Sequence, residues 1–356
     1  MLDWISEADS AAILGLLGGV ILGLGARIGR FCTLGAIEDA IYSSDDRRLR
    51  MWGLAIGTAV IGAHLALYFE LLLPADVLYL DRYPNPMGAL IGGAMFGYGM
   101  ALCGNCGFGA LARLGGGDLR SLIIVLMIMG ISAYVVLSGP LAAWRVALFP
   151  ETMGAVRDGA DAQGFSFLIA RKLGVAPVIS GLSIGTLFIL VALANHRMLR
   201  SYNSIFWGLM IGLVIVSGWI GTAWISANGF GVEPIETHTF AAPIGDSLFW
   251  AMTASGHKLS FGVGSVFGVL LGAWIGAFFK GHFRWEACED PRELRRQIFG
   301  AAIMGVGAIL AMGCSIGQGI AAFSVLSYSA PLTLAAIFAG ASFGLRQMIE
   351  GLDPAS

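Results

Sequence analysis

The chain is predicted to be an all-α integral membrane protein, and its composition and hydropathy pattern carry that prediction. Hydrophobic residues fill 57% of its 356 positions and charged residues only 12%. A water-facing domain of average make-up carries about 25% charged residues, so the surface implied here faces lipid. Mean hydropathy is +0.79, and nine runs approach the length of about 20 residues that a helix needs to cross a bilayer core. A formal charge of −2 supplies no basic field for nucleic acid.

The runs lie near 10–26, 51–73, 86–103, 119–139, 176–195, 203–225, 260–281, 296–313 and 330–350. Four apolar pieces near 33–43, 107–115, 246–256 and 316–327 are too short to span and are bounded by Gly or polar residues. They read as half-helices. The first apolar run is followed by Arg27 and Arg30 with no small-residue cleavage site, so it is expected to stay as a span.

Lys and Arg collect at Asp45–Arg50, at Arg113–Arg120, around His196, Arg197 and Arg200, and at Lys280–Arg296. With nine spans and the N-terminus outside, all four loops and Arg346 fall on the cytoplasmic side, as the positive-inside rule requires.

Three segments share a pattern around a cysteine: Gly25 to Gly35 around Cys32, Gly99 to Gly109 around Cys106, and Gly307 to Gly317 around Cys314. Each has Gly seven residues before the Cys and Gly three after it. A fainter fourth copy, Ser217 to Gly221, has Trp219 in the cysteine's place. Spans one to four (1–148) and six to nine (201–356) then form two repeats, with span five inside a 149–200 linker. An odd linker inverts the second half, an arrangement known among transporters. The competing reading is that helices built from 52 glycines resemble one another by composition alone.

Glycine-rich breaks at membrane depth are tolerated where they are buried in protein or line an aqueous cavity. Half-helix N-termini after Cys32, Cys106 and Cys314 aim free backbone N–H groups at the centre, which favours an anion. A thiol there donates a weak S–H hydrogen bond or becomes a reactive thiolate. One buried membrane cysteine reads as a small hydrophobe; three at one place in a repeat do not. Asn105 and Gln318 are amides within the loops, able to donate to an oxyanion. Arg30 flanks the first loop, and both an anion-holding role and a cytoplasmic-boundary role fit it. Arg113 and Arg120 fit the boundary role better.

His64 stands inside the second span, where ionisable groups are costly and default to functional candidates; Glu70 sits near enough to the outer interface to be solvated. Cys103 and Cys106 form Cys-x-x-Cys, which admits a redox pair, but no second such motif completes a zinc site. Cys288 belongs to the charged loop and repeats nothing. No cofactor is expected.

Three motifs together resemble the YeeE/YedE family of bacterial membrane proteins, described as sulfur-compound transporters. They are Arg30-Phe31-Cys32-x-x-Gly35-Ala36 with Glu38-Asp39 following, Leu102-Cys103-Gly104-Asn105-Cys106 with Leu111-Ala112-Arg113-x-Gly115-x-Gly117 after it, and Leu310-Ala311-Met312-Gly313-Cys314-x-Ile316-Gly317-Gln318-Gly319. The resemblance covers essentially the whole chain. It implies uptake of thiosulfate across the bacterial inner membrane, through nine spans and four short helices narrowed at the middle. It implies too that the ion passes along three cysteines, matching Cys32, Cys106 and Cys314, by transient S–H···S contacts. A small cytosolic TusA-like sulfur-carrier protein is the partner it suggests. The chain departs from the family where the usual Gly-Gly-Cys reads Gly104-Asn105-Cys106 with Cys103 upstream, which bears on the sulfur species accepted.

Two functions compete on these residues. One is a conduit that relays a sulfur anion between thiols without net chemistry. The other is a membrane enzyme in which Cys106 holds a persulfide and Cys103 resolves it; no general base stands nearby in sequence to support it.

Overall fold

A computed structural model describes residues 6–81, 85–149, 162–229, 233–286 and 291–350. Cys288 lies outside the described residues. The described chain is helical, with isolated bridges at Asp118–Glu286 and Gly164–Ser327 and no strand.

In the first part the helices are α1 (Glu7–Arg27), α2 (Thr33–Tyr42), α3 (Arg47–Tyr68), the short α4 (Leu78–Asp81), α5 (Pro86–Cys103), α6 (Gly107–Gly115), α7 (Ile128–Leu137) and α8 (Ala142–Leu148). A π-helical segment, Ser121–Met127, leads into α7. The middle holds α9 (Phe165–Leu173), α10 (Pro177–Leu193) and α11 (His196–Leu199). The rest is α12 (Tyr202–Asn228), α13 (Ala241–Thr253), α14 (Phe261–Phe279), α15 (Pro291–Leu310), a π-helical segment Gly317–Ala322, and α16 (Ser329–Glu350).

Local chemistry sets many boundaries. Ser6, Asn85 and Ser260 each accept a backbone N–H two or three residues into α1, α5 and α14, satisfying donors that a helix start leaves open. Pro86 and Pro177 begin α5 and α10, where their missing N–H costs nothing.

Among the described residues six helices are long and apolar enough to cross a membrane, and a seventh is reached if the pair α7 and α8, bent by 64°, counts as one span. Two further expected spans exist as helices of less favourable make-up. α10 has 17 residues, and α15 carries Arg292, Glu293, Arg295 and Arg296 in its first turns. The second expected span ends early, at Tyr68 rather than 73, and Glu70 beyond it is exposed with a left-handed φ of 57°. α9 was not foreseen.

The fourth repeat copy needs correction. Residues 217–221 lie inside the unbroken α12. α12 runs on to Asn228, and α13 starts at Ala241 rather than 246. Nothing in the apolar run around Trp219 distinguishes a break from a buried helix face. Trp219 instead props the third cysteine segment: its indole N–H donates to Ser324 Oγ at 3.1 Å, and its ring meets Tyr79 edge-on.

α1 packs on α14 through interlocked glycines. A Cβ at Gly15, Gly19 or Gly23 would collide with the carbonyls of Phe261, Ser265 and Val269; one at Gly264, Gly268 or Gly272 would meet those of Ala12, Leu16 and Val20. Small residues every fourth position bring membrane helices into backbone contact. α12 packs on α3, α5 on α16 and α15, and α15 on α7.

Four basic loops share one end of the bundle. Asn195 donates to Asp46 at 3.0 Å, Asn203 and Lys280 both donate to the Ile28 carbonyl, Leu119 N–H donates to the Glu286 carbonyl, and Arg120 reaches Glu293.

Candidate functional site

Each repeated cysteine stands at the N-cap of a short helical segment. Cys32 caps α2 and Cys106 caps α6; Cys314 precedes the helical run that begins at Ser315. Two residues before each cysteine the chain turns left-handed, at Arg30 (φ 56°), Gly104 (φ 75°) and Met312 (φ 56°). Only glycine takes that region without steric cost, so Arg30 and Met312 hold mildly strained backbone. The three loops share this turn as well as their sequence pattern.

Helix N-terminal N–H groups face the sulfurs. Gly109 N–H reaches Cys106 Sγ at 3.4 Å, and Gly317 N–H reaches Cys314 Sγ at 3.4 Å. These are the glycines three residues after those two cysteines; the Cys32 side chain makes no such cap contact. Gly317 also keeps space open opposite Thr239 and Tyr79, where a Cβ would crowd Thr239 Oγ1 at 2.7 Å. Thr239 Oγ1 lies 3.9 Å from Cys314 Sγ.

The three cysteines converge. Cys106 is within electrostatic reach of both Cys32 and Cys314, with the Ser315 side chain beside it. Cys106 and Cys314 are only 1% and 2% exposed, whereas Cys32 is partly exposed. Below Cys32 a cavity of about 390 Å³ opens, roofed by Cys32 and Asn105 and walled by Arg27, Arg30, Arg48, Arg113, Lys280 and His282. The cavity ends at Cys32 and Asn105, and Cys106 and Cys314 are closed off from it by burial.

The sequence-derived site residues divide. Cys32, Cys106, Cys314 and Asn105 gather at the centre, and Arg30 lines the cavity. Gln318 is 0% exposed but already engaged: its amide nitrogen donates to the carbonyls of Ala311 and Met312, and its oxygen accepts from Ser329. It braces the third break. Arg113 lines the cavity too and donates to the Gly104 carbonyl at 3.1 Å, while Arg120 sits farther out among Asp118, Glu286 and Glu293. Arg48 pairs with Asp39 at 3.2 Å. His64 is a buried core histidine, its Nδ1 2.9 Å from the Val60 carbonyl and its ring filling the space left by Gly181.

Two residues escaped notice in the sequence. Thr33 and Ser315 directly follow Cys32 and Cys314; the Thr33 hydroxyl is buried without a hydrogen-bond partner, as is the Asn105 side-chain oxygen, and the buried Ser315 hydroxyl lies against the Cys106 thiol. Buried polar atoms are paired in nearly all folded proteins, so each exception calls for a reason. The available signal was position, since each thiol has one small polar neighbour in the chain. Cys103 turns away, its sulfur donating to the Gln297 carbonyl at 3.3 Å. Both Cys103 and Cys106 are free thiols.

The description of one family, sulphur transport, matches residues 28–343, a stretch holding all three cysteine loops. The chain belongs to the sulphur transport family. Within curated relatives it is 29% identical over 332 residues to thiosulfate transporter TsuA of Spirochaeta thermophila, covering 91% of this chain and 94% of that protein. It is 24% identical over 339 residues to thiosulfate transporter TsuA of Escherichia coli, covering 90% and 89%. The expected YeeE/YedE kinship therefore holds. This member of the family is a multi-span membrane transporter of sulfur compounds rather than an enzyme.

Proposed function

We propose that the chain imports thiosulfate, or a closely related small sulfur anion, across the bacterial cytoplasmic membrane by handing it along Cys314, Cys106 and Cys32. The observation that carries this reading is the convergence of three thiols, each just after a left-handed turn and at the start of a helical segment, above a basic cavity. Thiosulfate has a soft terminal sulfur and a hard sulfonate. Thiols suit the first through S–H···S contacts. Helix N-terminal N–H groups and buried hydroxyls suit the second. No bond is made or broken, so an anion that leaves one thiol meets the next unchanged.

The wider architecture belongs to the same proposal. α7 with its π segment, α10 and α15 complete nine spans, and the halves 1–148 and 201–356 are inverted copies around a 149–200 linker. Exchange of packing partners supports this: α1 lies on α14 as α12 lies on α3, α5 on α16 as α15 on α7, and α2 on α16 as α13 on α7. The basic end is cytoplasmic, with the N-terminus outside and the C-terminus inside. A TusA-like carrier would meet the anion there.

Radiolabelled thiosulfate uptake into cells or proteoliposomes tests the relay. Cys106→Ser and Cys314→Ser are each expected to reduce uptake to background at unchanged membrane abundance. Uptake at the parental rate in both would end the proposal.

A further inference from the structure

The cavity under Cys32 has properties that a simple exit would not need. Six basic side chains line it: Arg27, Arg30, Arg48, Arg113, Lys280 and His282. Their partners are mostly uncharged. Lys280 and Arg113 donate to backbone carbonyls, of Ile28 and Gly104, and Asp39 answers Arg48 alone. Arg27 Nε is buried with no hydrogen-bond partner, and its guanidinium lies in the space that a side chain at Gly116 would fill. Arg27, Arg113 and His282 also line the adjoining cavity of about 210 Å³ toward the loop ends. That second space also holds Asp118 and Glu286, both within electrostatic reach of Arg27, so the carboxylates stand toward the loop ends and the larger cavity is lined by cations without one.

We infer that this vestibule is a second binding site, distinct from the thiols, for a tetrahedral dianionic oxyanion. At about 30 Å³ per water, 390 Å³ accepts such an ion with part of its hydration shell. Guanidinium groups recognise sulfonate, sulfate and phosphate oxygens alike. The vestibule therefore recognises charge and oxygen geometry, while the thiols above recognise soft sulfur. Sulfate and hydrogen phosphate on the basic side compete with arriving thiosulfate and slow its release. The placement of the site on a transport path rests on the function proposed above; binding itself does not.

Equilibrium binding of radiolabelled sulfate to the purified full chain in detergent tests the site. Saturable binding is expected, equal in the parent and in Cys106→Ser, displaced by thiosulfate and by phosphate, and weakened as salt rises. Arg27→Gln combined with Arg30→Gln is expected to weaken it at least tenfold, and the single exposed-site change Lys280→Gln severalfold. In proteoliposomes with the basic end inside, internal sulfate or phosphate in place of gluconate is expected to slow thiosulfate uptake severalfold. No saturable binding to monodisperse parent protein, an adventitious ion only, or affinity unmoved in folded Lys280→Gln would overturn the inference. Sulfate binding without thiosulfate uptake would instead overturn the function proposed above and leave the vestibule standing.

Discussion

Each repeated cysteine has one polar neighbour in the chain, and under the proposed function the Thr33 and Ser315 hydroxyls, buried beside the thiols, are the groups that donate to the anion. Hydrogen bonds to a charged group contribute about 1.5–3 kcal/mol, so deleting one donor should act on anion affinity rather than on folding. Ser315→Ala is expected to raise the half-saturating thiosulfate concentration roughly tenfold, an effect of about 1.4 kcal/mol, with Ser315→Thr restoring most of it. Concentration-dependent uptake reads this directly. A parental value in Ser315→Ala would mean the hydroxyl does not meet the anion. Gln318 makes the opposite case, because both ends of its amide are bound within the protein. Gln318→Leu leaves the Ala311 and Met312 carbonyls without their side-chain donor, and buried groups lost in this way cost about 1–3 kcal/mol each. It is expected to lower the thermal midpoint in detergent, and uptake should fall only as far as folded protein does.

Elements meet where glycine lets backbones touch. On α1 and α14 the glycines interlock, and a side chain at Gly19 would strike the Ser265 carbonyl. Backbone cannot swing aside as a flexible side chain does. Gly19→Leu should therefore exceed ordinary overpacking, which costs about 1–3 kcal/mol. Aggregation on extraction, or a midpoint lowered by many degrees, is the expected readout, while Leu17→Ala on the exposed face of α1 serves as control. The loop clamp at the basic end is weaker. Arg50 and Asn195 hold the Asp46 carboxyl below its ordinary range, the Arg50 hydrogen bond contributing most. A lowered carboxyl pKa stabilises the fold fully above the ordinary value near 3.9 and loses that contribution as pH falls through the lowered one. Asp46→Asn should thus reduce the thermal midpoint slightly at pH 7 and not at all well below pH 3, as thermal melts at the two pH values would report.

Across the whole molecule, the surroundings of the three thiols are asymmetric. Cys32 opens onto the basic cavity, and Cys106 and Cys314 are shut in. A membrane-impermeant thiol reagent applied to inside-out vesicles is expected to label Cys32 in a chain whose other cysteines are replaced by serine. Right-side-out vesicles should show no labelling. The reverse pattern would invert the proposed orientation.

Much of this was legible in the amino-acid order. Hydropathy marks where helices lie because lipid forces every span to be apolar and to satisfy its own backbone. The spacing of Gly25, Cys32 and Gly35, repeated twice, located the breaks because a helix can stop and restart in a membrane only with special residues. The tertiary structure decided what spacing cannot express. Trp219 looked like a fourth break, but a pattern of glycines reads the same in a packed helix and in an interrupted one. Gln318 looked like an anion donor, yet only three-dimensional packing shows which partners an amide has already found. The basic cavity draws on α1, α3, α6 and the turn after α14, segments far apart in the chain, so no local pattern announces it.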